Sequence, residues 1–171
     1  MTHSFIEVPP VQLSDNPFQA IGRDAMLITA GPLAAFNTMT ASWGALGHIW
    51  GKDVAFCVIR PQRYTFGFME QAGHFTLSFF DAAHKKALDY CGSHSGRDVD
   101  KIAATGLTPI AGATGAVYFA EARLVLECRK LYAQDLTEAS FVDPTIPPQA
   151  YSKGDFHRMY VGEIVHCLVR R

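Results

Sequence analysis

Apolar residues along the chain fall in short blocks rich in β-branched and aromatic side chains, at residues 26–29, 38–43, 54–59, 74–80, 116–131 and 159–169. Blocks of this kind predict strands. In the fifth, Val117, Phe119, Leu124, Leu126 and Cys128 are interrupted by Glu121, Arg123, Glu127 and Arg129. That alternation is close to the period of a half-buried strand and predicts one wet face. Three stretches between the blocks read as short helices: 64–71, 82–90 behind a cap at Asp81, and 97–105. Ser95 and Asp98 are spaced like a capping box for the last of these, and Gly106 is placed to end it. Many strands with few helices predict a mainly β barrel or sandwich, not alternating β-α units.

At 171 residues the chain is expected to form a single domain over 1–171, ordered nearly throughout, with 49% hydrophobic and 18% charged residues. Fifteen basic and sixteen acidic residues give a formal charge of −1, which leaves no broad positive field for nucleic acid. No segment reaches about 18 uninterrupted apolar residues and the start lacks a signal-peptide pattern, so no membrane association and a cytoplasmic location are expected. Cys57, Cys91, Cys128 and Cys167 are widely spaced and read as buried free thiols. Cys91 and His94 have a metal-like spacing but lack a second ligand pair, so no metal site is expected.

The chemistry concentrates in NTMTASWGALGHIWG, residues 37–51, and IRPQRYT, residues 59–65. On a strand, Thr38, Thr40 and Ser42 share one face and offer three hydroxyls, while Met39 and Ala41 face the other way. A solvent-exposed threonine-rich strand would show the same pattern. Arg60, Arg63 and Thr65 stand where a strand leads into a helix, and Pro61 fixes the turn between them. Arginines, a hydroxyl and a helix N-terminus together make a competent phosphate site, though an exposed connection has the same composition. Gly44, Gly47 and Gly51 fit neither the dinucleotide turn nor the Walker loop, so any phosphate must be held by side chains.

These stretches resemble the flavin reductase-like, FMN-binding split-barrel proteins, over residues 25–169. Three blocks carry the resemblance in order. The first runs from NTMTASWG through RPQRYT to GHFTLSF; the others are CGSHSGRDVDK at 91–101 and HRMYVGEI at 157–164. The resemblance implies a six-stranded antiparallel split barrel that forms a homodimer, with FMN in a groove near the subunit interface. It implies that Thr40, Ala41 and Ser42 line the flavin and its ribityl chain, with Asn37, Thr38, Met39 and Trp43 also in the cofactor site. Arg63 and Thr65 would take the phosphate, with Arg60 beside them in the cofactor site. Ser95, Gly96, Arg97 and Lys101 would lie by the ring, where the two cations offset charge on the reduced flavin. Trp43 and Trp50 could cover the flavin, although Trp50 suits core or dimer packing better.

His157 is the catalytic candidate, as a donor to a nicotinamide carboxamide or a flavin edge. The family often shows Gly-Asp-His, whereas here Phe156 stands between Asp155 and His157. The implied function is transfer of electrons from NADH or NADPH through FMN to a second acceptor, which could be a protein. The alternative is a flavoredoxin-like FMN electron carrier that does not use nicotinamide. A barrel holding another planar ligand such as haem is a third class, but no axial ligand stands out.

Overall fold

The computed structural model describes residues 4–171. The chain enters with β1 (Phe5–Glu7) and helix α1 (Pro17–Gly22), then builds β2 (Met26–Ala30), β3 (Asn37–Ala41), β4 (Gly44–Ile49) and β5 (Lys52–Ile59). Helix α2 (Tyr64–Gln71), β6 (His74–Phe79), α3 (Lys85–Ser93) and α4 (Lys101–Thr105) follow. A small hairpin, β7 (Pro109–Ala111) and β8 (Val117–Phe119), precedes the long strands β9 (Leu124–Asp135) and β10 (Arg158–Arg170), which are separated by α5 (Ile146–Ala150).

The main sheet is antiparallel in the order β3-β2-β6-β9-β10-β5-β4, with β1 added to β10. Its two end strands, β3 and β4, are joined by only Ser42 and Trp43. One bent strand therefore supplies both edges, and the sheet curls round a seam into a split barrel. The sheet thus has eight strands where six were expected, the difference being the bent β3–β4 pair and the short added strand β1. Gly44 makes the bend feasible, since a Cβ there would lie 2.5 Å from the Phe56 carbonyl and 3.2 Å from Met26 Cε. At the β4–β5 tip Trp50 (φ 56) and Gly51 (φ 68) are both left-handed, as a two-residue type I′ turn demands.

Met26, Ile28, Phe75, Leu77, Leu126 and Tyr160 fill the barrel interior. A second cluster, with Leu27, Leu88, Phe119 and Val125, lies under α3. β2 is buried at all five positions because each of its faces meets one of these clusters. The four cysteines are free and buried, and desolvation pushes the Cys57 thiol up to about 12.

Several local expectations are corrected. β4 was not anticipated, because Gly44 and Gly47 dilute its apolar pattern. The block at 116–131 is not one strand: the chain turns at 120–123 between β8 and β9. Nor does it have a wet face from Leu124 to Cys128, all of which is buried. Glu127 sits there because its carboxylate accepts from Thr114 N at 3.0 Å, Thr114 Oγ1 at 2.6 Å and Ala113 N at 3.3 Å. Asp81 does not cap a helix; it pairs with Arg170, and a 3₁₀ turn at 82–84 precedes α3. The helix expected at 97–105 begins only at Lys101, as α4, where Asp100 Oδ1 accepts from Ile102 N at 2.9 Å and Ala103 N at 3.0 Å. Gly106, left-handed at φ 71, ends it as expected.

Candidate functional site

β3 pairs with β2 along one rim, and beyond its other rim it meets α3 and, through Lys101, the start of α4. The Thr38 carbonyl points to that second rim, where it accepts from Lys101 Nζ at 2.8 Å. In an antiparallel strand the N–H and C=O of alternate residues face the same way, so the Thr40 peptide groups lie on this rim too. Helix α3 reaches β3 closely because residue 92 is glycine; a Cβ there would stand 3.3 Å from Thr40 Cβ.

The threonine hydroxyls do not form a free polar ladder. Thr38 Oγ1 bonds Thr29 Oγ1 at 2.9 Å and Thr40 Oγ1 donates to the Leu88 carbonyl, both beneath the helices, so only Ser42 of the three is exposed. Asn37 Nδ2 donates to Thr65 Oγ1 at 2.7 Å, which ties the start of β3 to the first turn of α2. Thr65 keeps its own hydroxyl proton for a further acceptor. The 92–97 loop closes on this pair, and a Cβ at Gly96 would collide with Asn37 Oδ1.

Three cations converge around that loop. Arg63, half-buried at the N-cap of α2, donates to the Gly92 carbonyl at 3.2 Å. Lys101 is buried and donates to the carbonyls of Thr38 and Cys91, each at 2.8 Å. Arg97 donates to the Gln62 carbonyl at 3.2 Å and lies 4.8 Å over the Tyr64 ring. Among the described residues none of the three joins a salt bridge. Burial lowers the pKa of Arg63, with Arg60 adding to the effect. Burial likewise lowers that of Lys101, and Arg63 reinforces this against the opposing Cys91. Positive charge is thus concentrated and uncompensated, which is the electrostatic condition of an anion site.

The cations border a chamber of about 200 Å³ between the loop and α2. Met39 and Arg63 also line a second one, of about 300 Å³, under the β3–β4 bend. Thr40, Ala41, Ser42 and Trp43 form one side of it; Val58, Arg60 and His157 form the other. Together they are of a size with small-molecule sites. Arg60, which shares the second chamber with Arg63, differs from these three cations in having a carboxylate partner. It is ion-paired with Asp155 and donates to the Ala150 carbonyl at 3.0 Å, while Gln62 Nε2 donates to the same carboxylate at 2.9 Å.

His157 faces Trp43 at 5.0 Å between ring centroids and bonds Tyr151 through Nδ1 at 2.9 Å. Tyr151 is buried and Nδ1 is the only partner of its hydroxyl among the described residues, so the phenol donates there and the imidazole proton sits on Nε2. Burial lowers the His157 pKa to about 4, aided by Arg60 and opposed by Asp155. The ring is neutral at physiological pH.

Sequence reasoning missed Tyr151, Gln62 and Tyr64, together with the aromatic wall of Phe141, Tyr151 and Phe156 behind His157. Residues 143–155 carry no periodicity, and only their contacts reveal a role. Asp155, displaced by one position from the family pattern, still reaches the site through Arg60.

Solved structures share this architecture. The FMN-binding protein of Thermus thermophilus with bound p-hydroxybenzaldehyde has a TM-score of 0.65 at 25% identity, covering 84% of this chain and 69% of that one. Flavoredoxin from Methanosarcina acetivorans has a TM-score of 0.64 at 24% identity, covering 84% and 67%. An NADH:FAD oxidoreductase of Streptomyces globisporus, in complex with NAD and FAD fragments, has a TM-score of 0.64 at 17% identity, covering 86% and 77%. No curated protein matches the chain. A family model described as the flavin reductase like domain matches residues 18–171, and the chain belongs to the flavin reductase-like family.

Proposed function

We propose that this protein binds FMN in the paired chambers and works as an NAD(P)H:flavin oxidoreductase that passes electrons to a second acceptor, a small molecule or a protein. The observation that carries the reading is the cluster of Arg63, Arg97 and Lys101, three cations that join no salt bridge among the described residues, beside the rim of β3 that pairs with no strand. A phosphate fits this donor set. Arg63, Arg97 and the Thr65 hydroxyl are its candidate partners, and a charge-assisted bond of this kind contributes about 1.5–3 kcal/mol. The flat walls of the larger chamber, Met39, Ala41 and Trp43, suit a planar ring, and the Thr40 peptide groups suit its polar edge.

FMN bound there would supply the hydride- and electron-transfer chemistry. The chain supplies orientation. His157 offers a neutral Nε2–H to a nicotinamide carboxamide, held in place by Tyr151 and screened from water by the aromatic wall. The exposed Trp50, 6.0 Å from Tyr132, gives the barrel an aromatic surface suited to a homodimer. Four free thiols suit the reducing cytoplasm.

The test is an FMN binding titration followed by anaerobic reduction with NADH and with NADPH. Retained flavin that is bleached by one of them supports the reading. Flavin that is retained but reduced by neither turns it toward the electron carrier, and flavin that is not retained sinks it.

A further inference from the structure

Between β9 and β10 the chain makes a long excursion, closed at its base by a 2.9 Å bond from Leu136 N to the His157 carbonyl. It holds only a 3₁₀ turn at 138–140 and the five-residue α5, and Val142 at its outer end is almost fully exposed. Its own hydrogen bonds are local: Thr145 N and Oγ1 donate to Asp143, Tyr151 N to the Pro147 carbonyl and Gly154 N to the Tyr151 carbonyl. A strap of this length with so little structure of its own takes its place from whatever the rest of the chain offers it.

Among the described residues, the hydrogen bonds that leave 137–156 end on three side chains. Tyr151 reaches His157, and all the others reach Arg60 and Gln62, in one turn. Arg60 bonds the Asp155 carboxylate through Nη1 and donates to the Ala150 carbonyl through Nη2 at 3.0 Å. Gln62 Nε2 donates to the same Asp155 oxygen at 2.9 Å. Ala150 and Asp155 bracket Tyr151, so one guanidinium ties down both ends of the segment that presents the phenol. It also lies 5.5 Å over the Tyr151 ring, which Phe156 stacks at 4.7 Å and Trp43 meets edge-on at 6.3 Å.

A planar guanidinium with two acceptors fixes orientation as well as place, and Pro61 narrows the turn that carries it. Asp155 itself lines neither chamber, so its carboxylate acts on the site only through what it holds. We propose that Asp155 and Arg60 are positioning residues for His157: the pair pins the strap, the strap sets Tyr151, and Tyr151 turns the imidazole toward Trp43. The proposal rests on the reading of His157 as the group that orients a nicotinamide. Arg60 then serves the cleft by holding a segment of the chain, and phosphate binding is left to Arg63 and Arg97.

The test compares wild type with Asp155→Asn, which keeps the size of the side chain and removes its charge, and with Asp155→Glu, which restores the carboxylate on a longer arm. In Asp155→Asn the Tyr151 and Gly154 amides should exchange with solvent about tenfold faster, the scale of one lost charged hydrogen bond. The ¹⁵N resonances of His157 should move toward a mixture of tautomers, with the FMN Kd near that of wild type. Reduction of FMN-saturated protein at saturating NADH or NADPH should slow roughly 10- to 100-fold. Asp155→Glu should recover most of the rate and of the tautomer. A lowered Tm with tautomer and rate unchanged would overturn the proposal, and so would a loss confined to FMN affinity, which would return Arg60 to the phosphate. If FMN-loaded wild type is reduced by neither nicotinamide, faster exchange and a mixed tautomer in Asp155→Asn would uphold the tether and sink the nicotinamide reading alone.

Discussion

Tyr151 and His157 are joined by a 2.9 Å hydrogen bond from the phenol to Nδ1, at the side of the cleft opposite the β3–β4 bend. With the phenol as donor, Nδ1 is an acceptor and Nε2 is the nitrogen that can donate. Tyr151→Phe should leave FMN affinity near normal, mix the two His157 tautomers as read by ¹⁵N NMR, and slow reduction by nicotinamide. A lowered Tm with the tautomer unchanged would make Tyr151 structural only.

The same histidine sets a pH dependence. Its pKa falls from the usual 6.5 to about 4 in the folded chain. Between those values the unfolded state binds a proton that the native state does not, so stability from this group is lost as pH falls from about 6.5 to about 4. Denaturant unfolding at pH 7 and pH 5 should show a smaller loss for His157→Gln than for wild type.

Binding and turnover should separate between two positions. Arg63→Ala removes a charged donor, so FMN affinity should fall roughly 10- to 100-fold while FMN-saturated protein is reduced at a near-normal rate. His157→Ala should hold FMN and be reduced slowly, because the hydride donor is no longer positioned. Flavin fluorescence quenching and anaerobic stopped-flow absorbance measure the two effects.

Lys101 is a tie as well as a charge, since its ammonium satisfies carbonyls on β3 and α3. Lys101→Met should leave both carbonyls without that partner and cost about 1–3 kcal/mol. At roughly 2–4 °C per kcal/mol for a chain of this size, calorimetry should register a fall of several degrees in Tm.

Trp50 stands 57% exposed at the hairpin tip, beside Tyr132 at 41%. Light scattering should give the mass of a dimer for wild type. Trp50→Glu should shift the protein toward monomer without lowering helix or strand content by circular dichroism.

What could be read from the sequence divides by the range of the forces involved. Helix α2 was legible to both ends, because Pro61 and Gly73 bracket a run whose signals are all local. Strands β2, β5 and β6 were legible for the same reason. Glu127 was misread as solvent-facing because the loop that satisfies it, at 113–114, is reached through tertiary packing. Asp81 follows the same rule: its partner, Arg170, lies 89 residues away, and long-range pairing overrides the local capping pattern, while Asp155, the partner of Arg60, lies 95 residues away. The candidate site divides likewise. Arg63, Thr65 and Lys101 do meet in one chamber, whereas the Thr38 and Thr40 hydroxyls turn inward.

The bend at Ser42 and Trp43 also governs how the molecule breathes. β3 and β4 are end strands, each paired with a single neighbour, so the sheet can part along this seam while its centre stays intact. A ligand seated in the bend lies against the chain that joins both edges and acts as a clasp. In the empty protein the amides of β3 and β4 should exchange with solvent ahead of those in β6 and β9. Occupancy should slow them together, out to His48 and Ile49, which line neither chamber.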